Sequence, residues 1–185
     1  MKDIDWNNFN WPEIFGTIHA IAPMMVNNQH RFMISDIMER TIARHSDGQF
    51  EYVGHKTDGQ DFAGTDGLRY ECKAVKSLIQ KTTYLTKPII LKNFRGDCLG
   101  VPDQTFDYML AVDYTQNTVL MADWKSCLKR KYNEWRNMIS PKVSDSNLTI
   151  RLDERDCEVL ADRVTPKTKT IDIQEKYNDF VASIG

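Results

Sequence analysis

The rhythm of apolar and polar positions changes near residue 50. Before it, apolar residues recur at helical spacing, and "WPEIFGTIHAIAPMM" and "NNQHRFMISDIMERTIARH" predict two helices. The second carries Phe32, Ile34, Ile37, Met38 and Ile42 at that spacing behind an Asn start signal. Beyond residue 50 the pattern shortens to alternation and brief apolar runs. "FEYVGHKT", "DFAG", "LRYECKAV" and "KPIILKN" predict strands, while "FDYMLAVDY" and "TVLMADW" flank a Thr115-Gln116-Asn117 turn and predict a hairpin. Asp123 is placed to cap a helix, "WKSCLKRKYNEWRNMI", that ends at Ser140-Pro141. The tail predicts a strand at "NLTIRL", a short acidic helix, a loop at "TPKTKT" and a closing helix from Asp172 to Ser183. The pattern is α/β (α+β), with a central mixed sheet flanked by helices. At 185 residues it fits one domain: a helical N-terminal part (1–48), a core (50–138) and a C-terminal part (139–185).

Composition narrows the picture. Cys72, Cys98, Cys127 and Cys157 are scattered, with no CxxC or Cys/His cluster, which argues against a zinc site or disulfide framework and fits a reducing, cytoplasmic setting. No signal peptide opens the chain and no apolar run reaches the ~20 residues of a membrane span, so a soluble protein is expected. The net charge of −2 hides an uneven distribution. Residues 1–66 hold ten acids and five bases, and residues 151–185 hold eight acids and six bases. Between 67 and 96 the balance reverses, with Arg69, Lys73, Lys76, Lys81, Lys87, Lys92 and Arg95 against Glu71 alone. A second basic island, Lys125, Lys129, Arg130, Lys131 and Arg136, faces only Glu134. For either island alone a solvated helix face is the plainer reading; together they offer Lys76, Lys81, Lys87, Lys129 and Arg130 as contacts to a phosphate backbone.

The chemistry concentrates in "DGLRYECKAVKS", residues 66–77. Side chains of a strand alternate, so Arg69, Glu71, Lys73 and Val75 share one face while Leu68, Tyr70, Cys72 and Ala74 form the core face. A three-residue loop, Thr65-Asp66-Gly67, with Gly67 in the left-handed conformation, pairs Gly64 with Leu68 and therefore sets Asp61 opposite Glu71. Two facing carboxylates repel unless something positive lies between them. Mg²⁺, which takes hard oxygen ligands and keeps several waters, answers that need with Asp61, Glu71 and the backbone carbonyl of Cys72 as ligands; Mn²⁺ is expected to substitute. Lys73, one step along the same face, is placed to hold an attacking water or to stabilise charge on a phosphate. The neighbouring acids favour its protonated form, so a free general base is not expected.

Glu-x-Lys is a weak signal alone, and Asp123-Trp124-Lys125 matches the looser acid-x-Lys pattern at what reads as a helix cap. A solvated ion pair is the plain reading of Glu71 and Lys73; Asp61 at an enforced register, within a basic stretch, shifts the balance toward a site. Glu39 in the second helix is a candidate accessory acid, although an exposed carboxylate paired with Arg40 or Arg44 is favoured on sequence. His19, His30, His45 and His55 lack metal-ligand spacing; His55 is the one nearest in sequence to the proposed site and is kept as an accessory candidate.

"DFAGTDGLRYECKA" resembles the core of the PD-(D/E)xK nucleases, in which an acid closes one strand, a short hairpin follows, and Glu-x-Lys lies on the next strand. The likeness is closest to the PvuII-like type II restriction endonucleases and runs through "TTYLTKPIILKNF", the apolar hairpin and the basic, Trp-containing helix, about residues 58–138. It implies a restriction-endonuclease-like fold, Mg²⁺-dependent hydrolysis of double-stranded DNA, and Asp61, Glu71 and Lys73 as the metal-and-water triad. Gln60 stands where the family has proline, and Asp58 in "TDGQD" competes with Asp61 for the first position. The stretch that reads bases in that group corresponds to Lys81-Thr82-Thr83-Tyr84, so its specificity does not transfer. In size and content the chain is similar to the small cleavage subunits of heterodimeric type IIS restriction enzymes, which implies a larger, site-recognising nicking subunit as partner. A self-contained homodimeric restriction enzyme and a non-catalytic binding module are the alternatives.

Overall fold

The computed structural model describes residues 3–21, 31–54, 60–75, 79–80, 83–84, 89–92, 106–130, 133, 147–150 and 156–167. Among the described residues, two helices, α1 (Trp11–Ile21) and α2 (Arg31–Arg44), precede ten strands: β1 (Phe50–Tyr52), β2 (Phe62–Gly64), β3 (Arg69–Val75), β4 (Ile79–Gln80), β5 (Thr83–Tyr84), β6 (Ile89–Lys92), β7 (Tyr108–Asp113), β8 (Thr118–Asp123), β9 (Asn147–Ile150) and β10 (Glu158–Ala161). Six of them form one mixed sheet in the order β1-β2-β3-β7-β8-β10; β4 pairs with β5 and β6 with β9 as separate antiparallel pairs. Within the sheet only β3 and β7 run parallel, with Glu71 beside Met109 and Lys73 beside Ala111. The architecture is therefore α/β with helices against a mixed sheet, as the sequence pattern predicts. No helix among the described residues is long and apolar enough to cross a membrane.

Strand alternation decides which face each helix covers. Phe50, Phe62, Tyr70, Cys72, Leu110, Val112 and Val119 are buried with Ile14, Phe15, Ile18, Met38 and Ile42 of the two helices in one core. Aromatic rings fill its corner: Phe50 stacks on Phe62 with centroids 4.9 Å apart, and Trp6, in a short 3-10 turn, meets Phe50 and Tyr70 edge-on. The opposite face, with Met109, Ala111, Leu120 and Ala122, is also buried, as are Phe106, Trp124, Cys127 and Leu128. Asp123 accepts a hydrogen bond from the Ser126 N–H at 2.6 Å and starts the helical segment as expected, but its first turn, Trp124–Leu128, is wound as a π-helix.

Turn chemistry fixes the hairpins. In 65–67, Gly67 takes a φ of 79°, its N–H donates to the Gly64 carbonyl at 2.9 Å, and the Gly64 N–H donates to Leu68 at 2.9 Å. Asp66 is buried there, accepting from the Leu68 N–H at 2.9 Å and the Tyr70 hydroxyl at 2.6 Å. Burial and this carboxylate push the Tyr70 hydroxyl well above the ordinary tyrosine range. The β7–β8 turn is held by the same chemistry, since Asp113 accepts from the Thr115 N–H, the Thr115 hydroxyl and the Gln116 N–H.

One element departs from expectation. Where the tail predicts a short acidic helix before the "TPKTKT" loop, Glu158–Ala161 is a strand that pairs antiparallel with β8. Val159 stands exposed and the ladder shifts register before Ala161, so this edge strand lacks the clean alternation that would reveal it. The predicted closing helix from Asp172 to Ser183, and most of the basic helix beyond Arg130, lie outside the described residues.

Asp66→Ala removes the acceptor of a buried tyrosine hydroxyl and of a turn N–H, and should cost about 2–3 kcal/mol. Urea unfolding checks this; loss below about 0.5 kcal/mol would show that the loop closes without it.

Candidate active site

The site lies where β2 stops and β3 continues. Phe62 faces Tyr70 and Ala63 faces Arg69. Continuing that register by one residue sets Asp61 against Glu71, as the loop geometry predicts. At Asp61 the backbone turns away from the ladder: its N–H donates to the Tyr70 carbonyl at 2.8 Å, and its carbonyl accepts from the Val53 N–H at 2.9 Å. The N–H of Cys72 would have no strand partner beyond that point. The Asp61 carboxylate takes its place, accepting that N–H at 2.7 Å. Strand geometry sends the N–H and C=O of one residue to the same edge, so the Cys72 carbonyl faces the same gap. The Cys72 thiol belongs to the core, being 1% exposed, and burial holds its pKa well above the ordinary thiol value.

Glu71 lies on the other face of β3 and forms an ion pair with the Lys73 ammonium. Burial works against the charge on Lys73, but Glu71 and Asp61 outweigh it and hold its pKa above the usual lysine range. The group is therefore a fixed cation, in keeping with the expectation that it is not a free base.

Glu39 of α2 completes the cluster, and here the favoured reading of the sequence is overturned. Glu39 is 6% exposed rather than solvated, and it lies within electrostatic reach of Asp61, Lys73 and Glu71. Arg40 does not pair with it; the Arg40 Nε bonds Asp36 at 3.1 Å. The helical spacing already held the signal. Ion pairs on a helix form at i±3 and i±4, and those positions around Glu39 are Ser35, Asp36, Ile42 and Ala43, none of them basic. Arg40 and Arg44 are one and five residues away.

Three carboxylates thus share one ammonium. Burial first, and then the charge of Asp61, push Glu39 up to about 9. Burial and then Glu71 push Asp61 up to about 7, against the opposing pull of Lys73 and the Cys72 N–H. Among the described residues no three His, Cys, Asp or Glu side chains stand at ready-made metal-ligand spacing. The donor set nonetheless suits a hard divalent cation in its chemistry: all-oxygen, anionic, and short of positive charge. Asp61, Glu71, the Cys72 carbonyl and Glu39 are the groups that would hold it.

The remaining expectations divide clearly. Asp58 and His55, and the phosphate-contact candidates Lys76, Lys81 and Lys87, lie outside the described residues. Lys129 and Arg130 are exposed on the helical segment after β8, and Arg130 pairs with Asp156 at 2.8 Å. Arg69, counted in the first basic stretch, bonds Asp107 at 3.2 Å, which fastens the start of β7 to β3. His19 bonds the Asn117 side chain at 2.6 Å, a structural contact between α1 and the β7–β8 turn. No family model, curated protein or solved structure matches the chain.

The raised acids make stability depend on pH with a definite sign. Folded Glu39 and Asp61 bind protons more tightly than their ordinary values of 4.5 and 3.8 allow. Stability in EDTA is therefore greatest below about pH 4 as far as these groups are concerned, and falls as pH rises toward 7 for Asp61 and 9 for Glu39. Glu39→Gln, which keeps Asp36, Asp61, Glu71 and Lys73, should raise Tm at pH 9 and flatten its decline from pH 5 to 9. An unchanged slope in thermal melts would place Glu39 outside the cluster.

Proposed function

We propose that the chain is a Mg²⁺-dependent endonuclease that hydrolyses phosphodiester bonds of double-stranded DNA, built on a restriction-endonuclease-like fold of the PD-(D/E)xK type. The observation that carries this reading is the gathering of Asp61, Glu71, Lys73 and Glu39 at the open end of one hairpin. An acid that replaces a missing strand partner, an acid-x-lysine on the next strand and a buried acid from a helix have no evident structural need of one another. Their mutual repulsion is a cost that a bound cation relieves.

The chain's own groups divide the work. Asp61 and Glu71, with the Cys72 carbonyl, would supply oxygen ligands, and Glu39, protonated near neutral pH in the metal-free pocket, adds a carboxyl that a bound cation would draw into its charged form. Lys73, held by Glu71 and charged across the working pH range, orients the attacking water or meets the negative charge that grows on the phosphate oxygens. Mg²⁺, when bound, supplies Lewis-acid activation of the phosphate and of the water. One P–O bond forms as the opposite one breaks in line; the attacking water gives up one proton to solvent and the departing alkoxide takes one from it.

Site selection is proposed to come from a larger, site-recognising subunit, with this chain cutting one strand. The net charge of −2 and the acidic ends favour that division over a self-contained reader, which needs many phosphate contacts of its own. Arg69 and Arg130, engaged with Asp107 and Asp156, reduce the uncommitted positive charge further.

Supercoiled plasmid tests the reading, with the chain alone and with any larger subunit found encoded beside it. Asp61→Asn and Glu71→Gln should each lower Mg²⁺-dependent cleavage by at least about 100-fold while the thermal melt stays cooperative. Folded variants that cut at the wild-type rate would reduce the cluster to a surface ion network on a binding module. Cleavage by a homodimer without any partner would favour the self-contained enzyme.

A further inference from the structure

Beside the carboxylate pocket is an arrangement that neither the core nor the proposed ligand set requires. Tyr52 donates its hydroxyl to Asp36, and Asp36 also accepts from the Arg40 Nε. The Arg40 guanidinium lies over the Tyr52 ring, 4.7 Å from its centroid. Tyr52 is itself fixed from behind, since a Cβ on Gly54 would come within 2.5 Å of the Tyr52 Cζ, and Gly54 has a φ of 49° that a side chain rarely accepts. An i,i+4 Asp–Arg pair on a helix is common and by itself weak. Here the acid is mostly buried, at 14% exposure, while the arginine reaches 36%. Burial and the Asp36 carboxylate push the Tyr52 hydroxyl well above its usual range, so it stays a donor to that acid.

The position of this arrangement matters as much as its rigidity. Arg40 follows Glu39 in α2. Tyr52 precedes Val53, whose N–H donates to the Asp61 carbonyl at 2.9 Å. Asp36 and Tyr52 both lie within electrostatic reach of Glu39, which sets the arrangement beside the pocket. Among the described residues, Arg40 uses Nε alone in hydrogen bonding, which leaves two Nη groups for a planar, two-oxygen acceptor. With Glu39 and Asp61 holding protons toward neutral pH, the metal-free pocket offers a phosphodiester little attraction of its own, and a cation at its rim supplies it.

We propose that Arg40 is a phosphate clamp, held by Asp36 and laid on Tyr52 so that its Nη groups receive a backbone phosphate of the nucleic acid at the rim of the carboxylate pocket. This rests on the nuclease reading for its substrate class, and it assigns to Asp36 and Tyr52 the role of positioning residues.

The test measures binding of the intact chain to a short labelled DNA duplex in Ca²⁺ across a salt series, alongside cleavage in Mg²⁺. Arg40→Gln should weaken binding about tenfold and make the slope of log K against log salt shallower by about 0.9, the share of one phosphate contact. Arg40→Lys should restore most of the slope but not the cleavage rate, because an ammonium lacks the planar fork. Thermal melts should stay within a few degrees of wild type. An Arg40→Gln variant with wild-type slope and affinity overturns the clamp, as does an intact chain that shows no salt-dependent binding. The two readings fail separately. Wild-type cleavage with an unaffected Arg40→Gln removes the clamp alone, whereas no cleavage by the wild type beside a shallower slope for Arg40→Gln removes the hydrolysis and leaves the clamp.

Discussion

Two carboxylates facing one another across neighbouring strands repel, and the loop at 65–67 leaves the chain no easy way to avoid it. Gly67 in the left-handed region and Asp66 bound to both Leu68 and Tyr70 fix the pairing of Gly64 with Leu68, and Asp61 meets Glu71 as a consequence. A slip of one residue would move Tyr70 and Cys72 out of the core and turn Glu71 and Lys73 into it. Burial of Phe62, Tyr70 and Cys72 therefore guards the same register that crowds the acids. Core packing and site electrostatics are coupled through one short hairpin, and the unfavourable part is carried by the favourable part.

The end of β2 at Phe62 turns that hairpin into a site. Had the strand continued, Cys72 would have had a backbone partner and the gap beside it would have closed. The chain instead bends at Asp61, whose carboxylate takes the vacant N–H while its carbonyl binds Val53. The carboxylate is thereby oriented by the backbone, and the gap remains open to the Cys72 carbonyl. Helix α2, packed against the core through Met38 and Ile42, brings Glu39 to this cluster, and the next residue, Arg40, lies over the Tyr52 ring of β1. Structure and candidate chemistry use adjacent residues of the same helix.

Much of this was readable in the sequence because local chemistry dictates it. Gly67 in a three-residue loop and the alternation of "LRYECKAV" are enough to place Asp61, Glu71 and Lys73 together, and the Thr115-Gln116-Asn117 turn likewise reveals β7 and β8. The burial of Glu39 was less apparent, since a carboxylate flanking an apolar helical stripe looks solvated until the far element is known; only the missing base at i±3 and i±4 marked it. Strand β10 was hidden for another reason. It is an edge strand with a register shift, and its identity comes from pairing with β8 rather than from its own pattern. The Asp36–Arg40–Tyr52 arrangement joins a helix to a strand 12 residues further on, a contact no periodicity encodes.

The account turns on charge. Three acids and one ammonium in a half-buried pocket form an arrangement that folding tolerates and a divalent cation would stabilise. Anomalous scattering from crystals soaked in Mn²⁺ tests this most directly. The account predicts a peak within about 2.0–2.4 Å of oxygens from both Asp61 and Glu71, with the Lys73 ammonium close by. A peak that touches neither carboxylate, or none at a Mn²⁺ concentration that supports cleavage, would contradict it.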